Sequence, residues 1–119
     1  MKEGNIIQEK AFAFAIKIVN VYKDLNYEKR GFVMSKQLLR CGTSIGANVE
    51  EAIGGQSRAD FVSKLSVAYK EARETVYWLK LMVATNYLSA EIANSLIKDA
   101  DEICKIVAKI LITTKARKH

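Results

Sequence analysis

The strongest constraint on the fold is an apolar repeat at alternating spacings of four and three residues, present in four stretches of the 119-residue chain. This spacing places apolar side chains along one side of an α-helix. The chain has no proline and only six glycines, so few positions can interrupt a helix. We therefore predict an all-α fold in which residues 1–119 form one domain, an antiparallel up-down-up-down four-helix bundle.

The predicted helices cover residues 5–28, 35–54, 58–85 and 89–114, and a basic C-terminal tail follows them. Ser35, Ser57 and Ser89 are the expected N-caps of the second, third and fourth helices. Gly31 and the glycine pair that begins at Gly54 are expected to end the first two helices by left-handed glycine chemistry. The repeat predicts a core made of Ile7, Ala11, Phe14, Ile18, Val21, Leu25, Leu38, Gly42, Ile45, Val49, Ala52, Phe61, Leu65, Ala68, Ala72, Val76, Leu79, Val83, Ile92, Leu96, Ala100, Ile103, Val107 and Ile110.

Two helices carry more apolar surface than the core of a monomeric bundle requires. Phe12, Ile16 and Val19 lie beside the main apolar face of the first helix, and Trp78 and Leu81 lie off the core face of the third. A helix with so wide an apolar surface is either unusually enclosed or contacts another subunit. We predict that these five side chains form an oligomer interface.

The positive charge is unevenly distributed along the chain. The net charge is +6, yet residues 1–102 hold 14 Lys/Arg and 13 Asp/Glu, so nearly all the excess follows Glu102. Cations suit the negative end of a helix dipole, and they also suit a polyanionic partner. The first of two basic groups surrounds the start of the second helix and the other ends the chain. The predicted nucleic-acid-binding residues are Lys29, Arg30, Lys36, Arg40, Lys105, Lys109, Lys115, Arg117 and Lys118.

No arrangement of residues in the sequence indicates catalysis or a cofactor. The single histidine is the last residue, and Cys41 and Cys104 have no ligand companions at metal-binding spacing. Glu50 and Glu51 are adjacent, so they point about 100° apart on a helix and do not form a carboxylate pair. The chain has neither a Walker loop nor a dinucleotide-binding fingerprint. We predict a protein that is not an enzyme and holds no metal or cofactor.

The expected compartment follows from the same composition. No apolar stretch reaches the roughly 18 residues that a membrane span needs. The first residues lack the succession of charged, apolar and small segments of a signal peptide. The two cysteines lie within predicted helices rather than in loops, and they are expected to remain free thiols. These features predict a cytoplasmic protein with no membrane partner.

Small and polar residues interrupt the apolar pattern of the second helix. Gly42 and Gly46 form a small-xxx-small pair, which lets another helix approach closely. Ser44 and Asn48 lie four residues apart on one face, where they can bond to each other or to a neighbouring helix. A polar residue near a packed face more often fixes register than binds a ligand.

Residues 44–61 are similar to a known signature, S-I-P-A-N-I-A-E-G-x-G-R-x-S-x-x-E-F. The matching run is Ser44-Ile45-Gly46-Ala47-Asn48-Val49-Glu50-Glu51, followed by Gly54, Ser57, Asp60 and Phe61. This signature marks bacterial four-helix-bundle proteins encoded in 23S rRNA intervening sequences, and residues 64–76 resemble that family's third helix. The chain departs from the signature at Gly46 (proline in the family), Ala52 (glycine), Gly55 (arginine) and Asp60 (glutamate).

The resemblance implies a bundle that assembles as a ring, typically a homopentamer. It also implies kinship with the accessory variability determinant protein of diversity-generating retroelements, a basic pentamer that binds nucleic acid and a reverse transcriptase. Ser44, Asn48, Glu51 and Gly54 then become structural motif residues, with Asn48 and Glu51 making polar bonds that fix the neighbouring chain. The lost arginine at Gly55 removes one family cation from this chain.

Two functions from different classes remain open. The first is largely sequence-independent binding of RNA or DNA by a basic homo-oligomeric ring, in which repetition multiplies weak phosphate contacts. The alternative is a protein–protein interaction scaffold or adaptor with no nucleic-acid role, favoured by the extra apolar surface. A small-ligand site in the ring channel is a third, for which no residue can be named.

Overall fold

The computed structural model describes residues 2–27 and 32–117. They form α1 (Lys2–Tyr27), α2 (Phe32–Ile53), α3 (Arg58–Ala84) and α4 (Ala90–Ala116). Each helix packs on the next along the chain, and α1 also packs on α4, so α2 and α4 lie diagonally opposite each other. The result is a rod of 51 × 20 × 20 Å. The predicted all-α four-helix bundle is confirmed.

The apolar repeat accounts for most of the core. Every predicted position on α2 is buried, and so is every predicted position on α1 except Val21, which is half-buried. On α4, Ile92 is 47% exposed because it lies in the first turn at the end of the bundle, and Ala93 is buried in its place. The largest fully buried side chains come from all four helices, which makes a single continuous core.

The buried face of α3 differs from the predicted one. Phe61, Val76 and Val83 are only half-buried, whereas Thr75 and Met82 are completely buried. The buried face is turned toward α2, the helix with which α3 packs most extensively. The Thr75 hydroxyl donates to the Glu71 carbonyl at 2.7 Å, so its burial leaves no polar group unsatisfied.

Two of the three predicted N-caps are confirmed. The Ser57 hydroxyl accepts from the Asp60 amide at 3.0 Å, and the Ser89 hydroxyl accepts from the Ile92 amide at 3.3 Å. Ser35 was predicted as the cap of the second helix, and this is wrong, since α2 begins at Phe32. Ser35 lies three residues before Leu38, the first apolar residue of the repeat in α2. It occupies the preceding position of the same repeat and is therefore buried.

The helix ends differ from simple glycine caps. Gly54 and Gly55 end α2 as predicted, but neither backbone lies in the left-handed region. The left-handed residue of the described chain is Asn86, with φ of 66°. It ends α3 in a Schellman motif, in which the Asn86 amide donates to Val83 and the Tyr87 amide to Met82. Gly31 and Glu28 lie outside the described residues.

Gly42 and Gly46 hold α1 and α2 close together, as their spacing predicted. A Cβ atom added to Gly42 would lie 2.8 Å from the Ile18 Cγ1 atom, which is closer than carbon atoms pack. At Gly46 the nearest atom is the Ala11 carbonyl oxygen at 3.5 Å, an ordinary contact. Gly42 is therefore required by the packing of Ile18, while Gly46 is not.

Candidate nucleic-acid interface

Ion pairs between helices engage five of the carboxylates that the structure describes. They join α1 to α4, and they join α2 to α3. The pairs are Lys10–Glu102 at 2.5 Å, Lys17–Asp99 at 2.7 Å, Lys64–Glu51 at 3.2 Å, and Arg40 with both Glu71 and Glu74. Exposed pairs of this kind contribute little to stability because water and salt screen them. Their larger effect is on which cations remain without an acidic partner.

Arg40, a predicted phosphate ligand, is engaged within the protein. Its guanidinium pairs with Glu74 and lies 3.2 Å from the Glu71 carboxylate, and its Nε donates to Gln37. Burial lowers the pKa of Arg40, but the two carboxylates outweigh this and raise it above its ordinary value. A phosphate at Arg40 would have to displace two carboxylates, so Arg40 is a poor anchor.

The remaining predicted cations do not form one cluster. Lys36 is exposed near the start of α2, with its ammonium 4.3 Å from the centre of the Phe32 ring. Lys115 and Arg117 lie at the end of α4, at the opposite end of a rod 51 Å long. Arg117 also accepts a hydrogen bond from Arg58 through its carbonyl oxygen. Lys29, Arg30 and Lys118 lie outside the described residues.

The α4 basic face consists of Lys98, Lys105 and Lys109, which are all exposed. Their spacings of seven and four residues place them on one side of the helix. None of them makes an ion pair with a carboxylate in residues 2–27 or 32–117. Of the acids nearest in sequence, Asp99 and Glu102 are paired with lysines of α1, while Asp101 lies close to Lys98 and Lys105 without an ion pair.

The α3–α4 groove lies next to this face and adds two cations that sequence reasoning missed. Its volume is about 330 Å³. The groove is lined by Tyr69, Arg73, Val76, Lys80, Asp101, Cys104 and Lys105. Three cations from two helices thus surround one carboxylate. Arg73 and Lys80 both come from α3, and the structure places them beside Lys105 of α4.

Both cysteines are free thiols with weakened acidity. Burial raises the pKa of the Cys104 thiol, the Asp101 carboxylate raises it further, and Arg73 lowers it. Burial also raises the pKa of the Cys41 thiol, while a hydrogen bond with Thr75 lowers it. Within residues 2–27 and 32–117, no three His, Cys, Asp or Glu side chains are grouped to hold a metal ion. No helix in these residues is long and apolar enough to cross a membrane.

The motif residues of α2 act within the bundle. The Asn48 amide donates to the carbonyl and hydroxyl oxygens of Ser44, each at 2.9 Å, so both bonds stay inside α2. Of the two partners that the spacing allows for Asn48, Ser44 and a neighbouring helix, the structure shows Ser44, one turn earlier in α2. Glu51 does bridge to α3, through Lys64 at 3.2 Å. The Gly54 amide closes the last turn of α2 on the Glu50 carbonyl.

The comparisons with known proteins agree with this motif and fold. A model of the family described as 23S rRNA-intervening sequence protein matches residues 3–109. The chain belongs to that family. A crystal structure of a protein of unknown function, from the S23 ribosomal protein family of Bacteroides thetaiotaomicron, is 51% identical to it. The two superpose with a TM-score of 0.88 over 92% of this chain and 97% of the other. No curated protein matches the chain.

An α1 patch of apolar side chains is exposed on this family member. Phe12 is 67% exposed and Ile16 is 49% exposed, while Val19 is half-buried. Gln8 lies one turn before Phe12 and donates to Glu50 of α2 at 2.6 Å. The patch therefore continues the side of α1 that faces α2. It lies away from the lysines that pair with α4.

An α3 patch lies on the other side of α2. Tyr77 is 59% exposed, and its ring packs edge-on against the half-buried Trp78 at 5.5 Å. The Trp78 indole donates to Glu74, the carboxylate that also binds Arg40 of α2. Leu81 is half-buried three residues further along. Two separate apolar patches thus flank α2, and the α4 basic face lies on the opposite side of the bundle.

Proposed function

We propose that the protein is a non-enzymatic nucleic-acid-binding protein that acts as a basic homo-oligomeric ring. Binding of RNA or DNA would be largely independent of sequence, because lysines contact phosphates rather than base edges. The observation that carries this proposal is the α4 basic face, whose Lys98, Lys105 and Lys109 make no ion pair with any described carboxylate. Cytoplasmic location, as predicted from the sequence, is part of the same proposal.

The two apolar patches support a ring rather than a two-fold dimer. A two-fold interface joins the same patch on both subunits, whereas contact between two different patches repeats from subunit to subunit and forms a ring when the rotation between subunits closes. The α1 patch of one subunit against the α3 patch of the next is a contact of the second kind. Five subunits are what the family resemblance implies. A ring would repeat a net charge of +6 in every subunit, and the stronger positive electrostatic potential of the particle would attract polyanions.

A titration of structured RNA at several salt concentrations tests nucleic-acid binding. Affinity that falls steeply with salt supports the proposal, since phosphate contacts release counterions. No binding at low salt, or an affinity that does not depend on salt concentration, rejects the proposed nucleic-acid binding. Light scattering tests the ring and should give a mass several times 13.3 kDa. A monomer at micromolar concentration would reject the ring.

The second candidate is a protein–protein interaction scaffold with no nucleic-acid role. The exposure of Phe12 and Tyr77 favours it, because apolar rings on a surface mark interaction sites. The variant K98Q/K105Q/K109Q separates the two candidates, since it removes the α4 basic face and leaves both apolar patches intact. RNA affinity should fall under the first proposal, and capture of a protein partner, such as a reverse transcriptase, should survive under the second.

A further inference from the structure

We propose that the α3–α4 groove holds one phosphodiester of a single-stranded nucleic acid, with Arg73, Lys80 and Lys105 as its ligands. This inference rests on the proposed function and assigns nucleic-acid binding to one groove of the bundle. It commits to nucleic acid because the groove combines converging cations with an aromatic ring. Proteins that bind single strands use this combination, with a basic groove for the backbone and rings for the bases.

The convergence of charge is the first part of the evidence. Arg73 and Lys80 come from α3, and Lys105 comes from α4, so the tertiary fold brings them together. Asp101 is the single carboxylate among the lining residues. The Arg73 guanidinium lies 6.0 Å from the centre of the Tyr69 ring, which holds its planar donors beside the groove. The lining carries a net charge of +2, and one phosphodiester would offset half of it.

The apolar part of the lining selects for a single strand. Tyr69, Val76 and Cys104 are each half-buried and supply apolar surface between the cations. A base that packs there must be free of a duplex, where stacking and pairing hide its faces. The volume of about 330 Å³ lies at the small end of ligand pockets, a size that suits one nucleotide unit.

The position of the groove leaves it open in a ring. The α1 patch and the Trp78 part of the α3 patch flank α2, whereas the groove lies between α3 and α4. Tyr77 is the patch residue next to the groove, four residues from Arg73 and three from Lys80. Each subunit of an oligomer would then present one groove. Several weak sites on one particle bind one strand far more tightly than a single site does.

The main test removes the charge of the groove from the full chain. In the triple variant R73Q/K80Q/K105Q, affinity for a short single-stranded RNA should fall by about tenfold or more, because bonds to charged groups are the strong ones. The slope of log affinity against log salt should become shallower by about 0.7 for each phosphate released. The charge-retaining variant R73K/K80R/K105R should keep most of the affinity.

The matched control removes three exposed cations elsewhere. K17Q/K23Q/K70Q changes the net charge by the same amount on α1 and α3, outside the groove. It should lose only about two- to threefold, through the weaker overall field. Circular dichroism melts confirm that all variants are folded. A groove variant that loses no more than the control overturns the inference, while binding by the wild type leaves the proposed function standing.

Two further measurements separate the occupants. The groove variant should lose more affinity for single-stranded RNA than for a duplex of the same length, and equal losses contradict the preference for a single strand. Bound single strand should slow alkylation of Cys104 in the wild type, because this thiol lines the groove. Unchanged alkylation with saturating RNA overturns the site. Protection by polyglutamate as strong as by RNA would assign the groove to an acidic protein instead.

Discussion

The close approach of α1 and α2 gives a sharp prediction for the substitution Gly42→Ala. The added methyl carbon would lie 2.8 and 2.9 Å from the Ile18 Cγ1 and Cγ2 atoms. Ile18 is completely buried and branched at Cβ, so it cannot rotate away without strain. Overpacking of this kind costs about 1–3 kcal/mol. Alanine recovers about 0.5–1 kcal/mol of helix propensity, which leaves a net loss of roughly 0.5–2 kcal/mol.

Gly46→Ala is the matched control on the same helix. Its added carbon would lie 3.5 Å from the nearest atom, the Ala11 carbonyl oxygen, which is an ordinary contact. The propensity gain then acts alone, and the variant should be more stable than the wild type by about 0.5–1 kcal/mol. The two substitutions are chemically identical, so the difference between them, about 1–3 kcal/mol, measures the packing of Ile18.

Thermal melts at one protein concentration provide the assay. For a domain of this size, 1 kcal/mol corresponds to about 4 °C, so G42A should melt roughly 2–8 °C below the wild type and G46A roughly 2–4 °C above it. The double variant I18A/G42A should be more stable than the sum of the single changes, since the new methyl fills space that Ile18 vacates. Equal stability of G42A and G46A would refute this packing of α1 on α2.

Three smaller predictions concern single side chains. Alkylation of Cys104 should be slower at neutral pH than that of an exposed cysteine, because only the thiolate reacts, and its rate should rise about tenfold per pH unit until the pH passes the raised pKa. Peptide mass spectrometry measures this rate, and the more deeply buried Cys41 should react more slowly still. Fast alkylation of Cys104 at neutral pH would contradict its burial. Asn86→Ala should lower stability by about 1 kcal/mol relative to Asn86→Gly, since alanine disfavours the left-handed backbone; equal melts would contradict this conformation. Ser57→Ala should cost about 1 kcal/mol through loss of the α3 cap, and an unchanged melting temperature would argue against that cap.

Much of the fold could be predicted from the sequence because each helix has one dominant apolar face. The spacing of Leu38, Ile45 and Val49 identifies the buried side of α2 without reference to the other helices. The errors occur where tertiary packing decides. Ser35 reads as a cap by residue type, but its position in the repeat buries it. Thr75 reads as polar, yet the turn of α3 toward α2 places it in the core with its hydroxyl bonded inside the helix.

The candidate site was less accessible to sequence reasoning. Lys105 and Lys109 could be named because no acid follows Glu102 along the chain. Arg73 and Lys80 could not, because the register between two antiparallel helices decides whether α3 cations lie beside those of α4. Arg40 was misleading for the same reason, since its acidic partners are more than thirty residues away in sequence.

The dependence of RNA affinity on salt tests nucleic-acid binding by this basic protein most directly. For contacts with about four phosphates of a single strand, the slope of log affinity against log salt is about −2.8, so a change from about 50 to 200 mM salt should weaken binding about 50-fold. Anisotropy of a labelled RNA, with the wild-type protein at each salt concentration, gives this slope. A slope near zero, or no binding at about 50 mM salt, would contradict phosphate recognition by the α4 basic face.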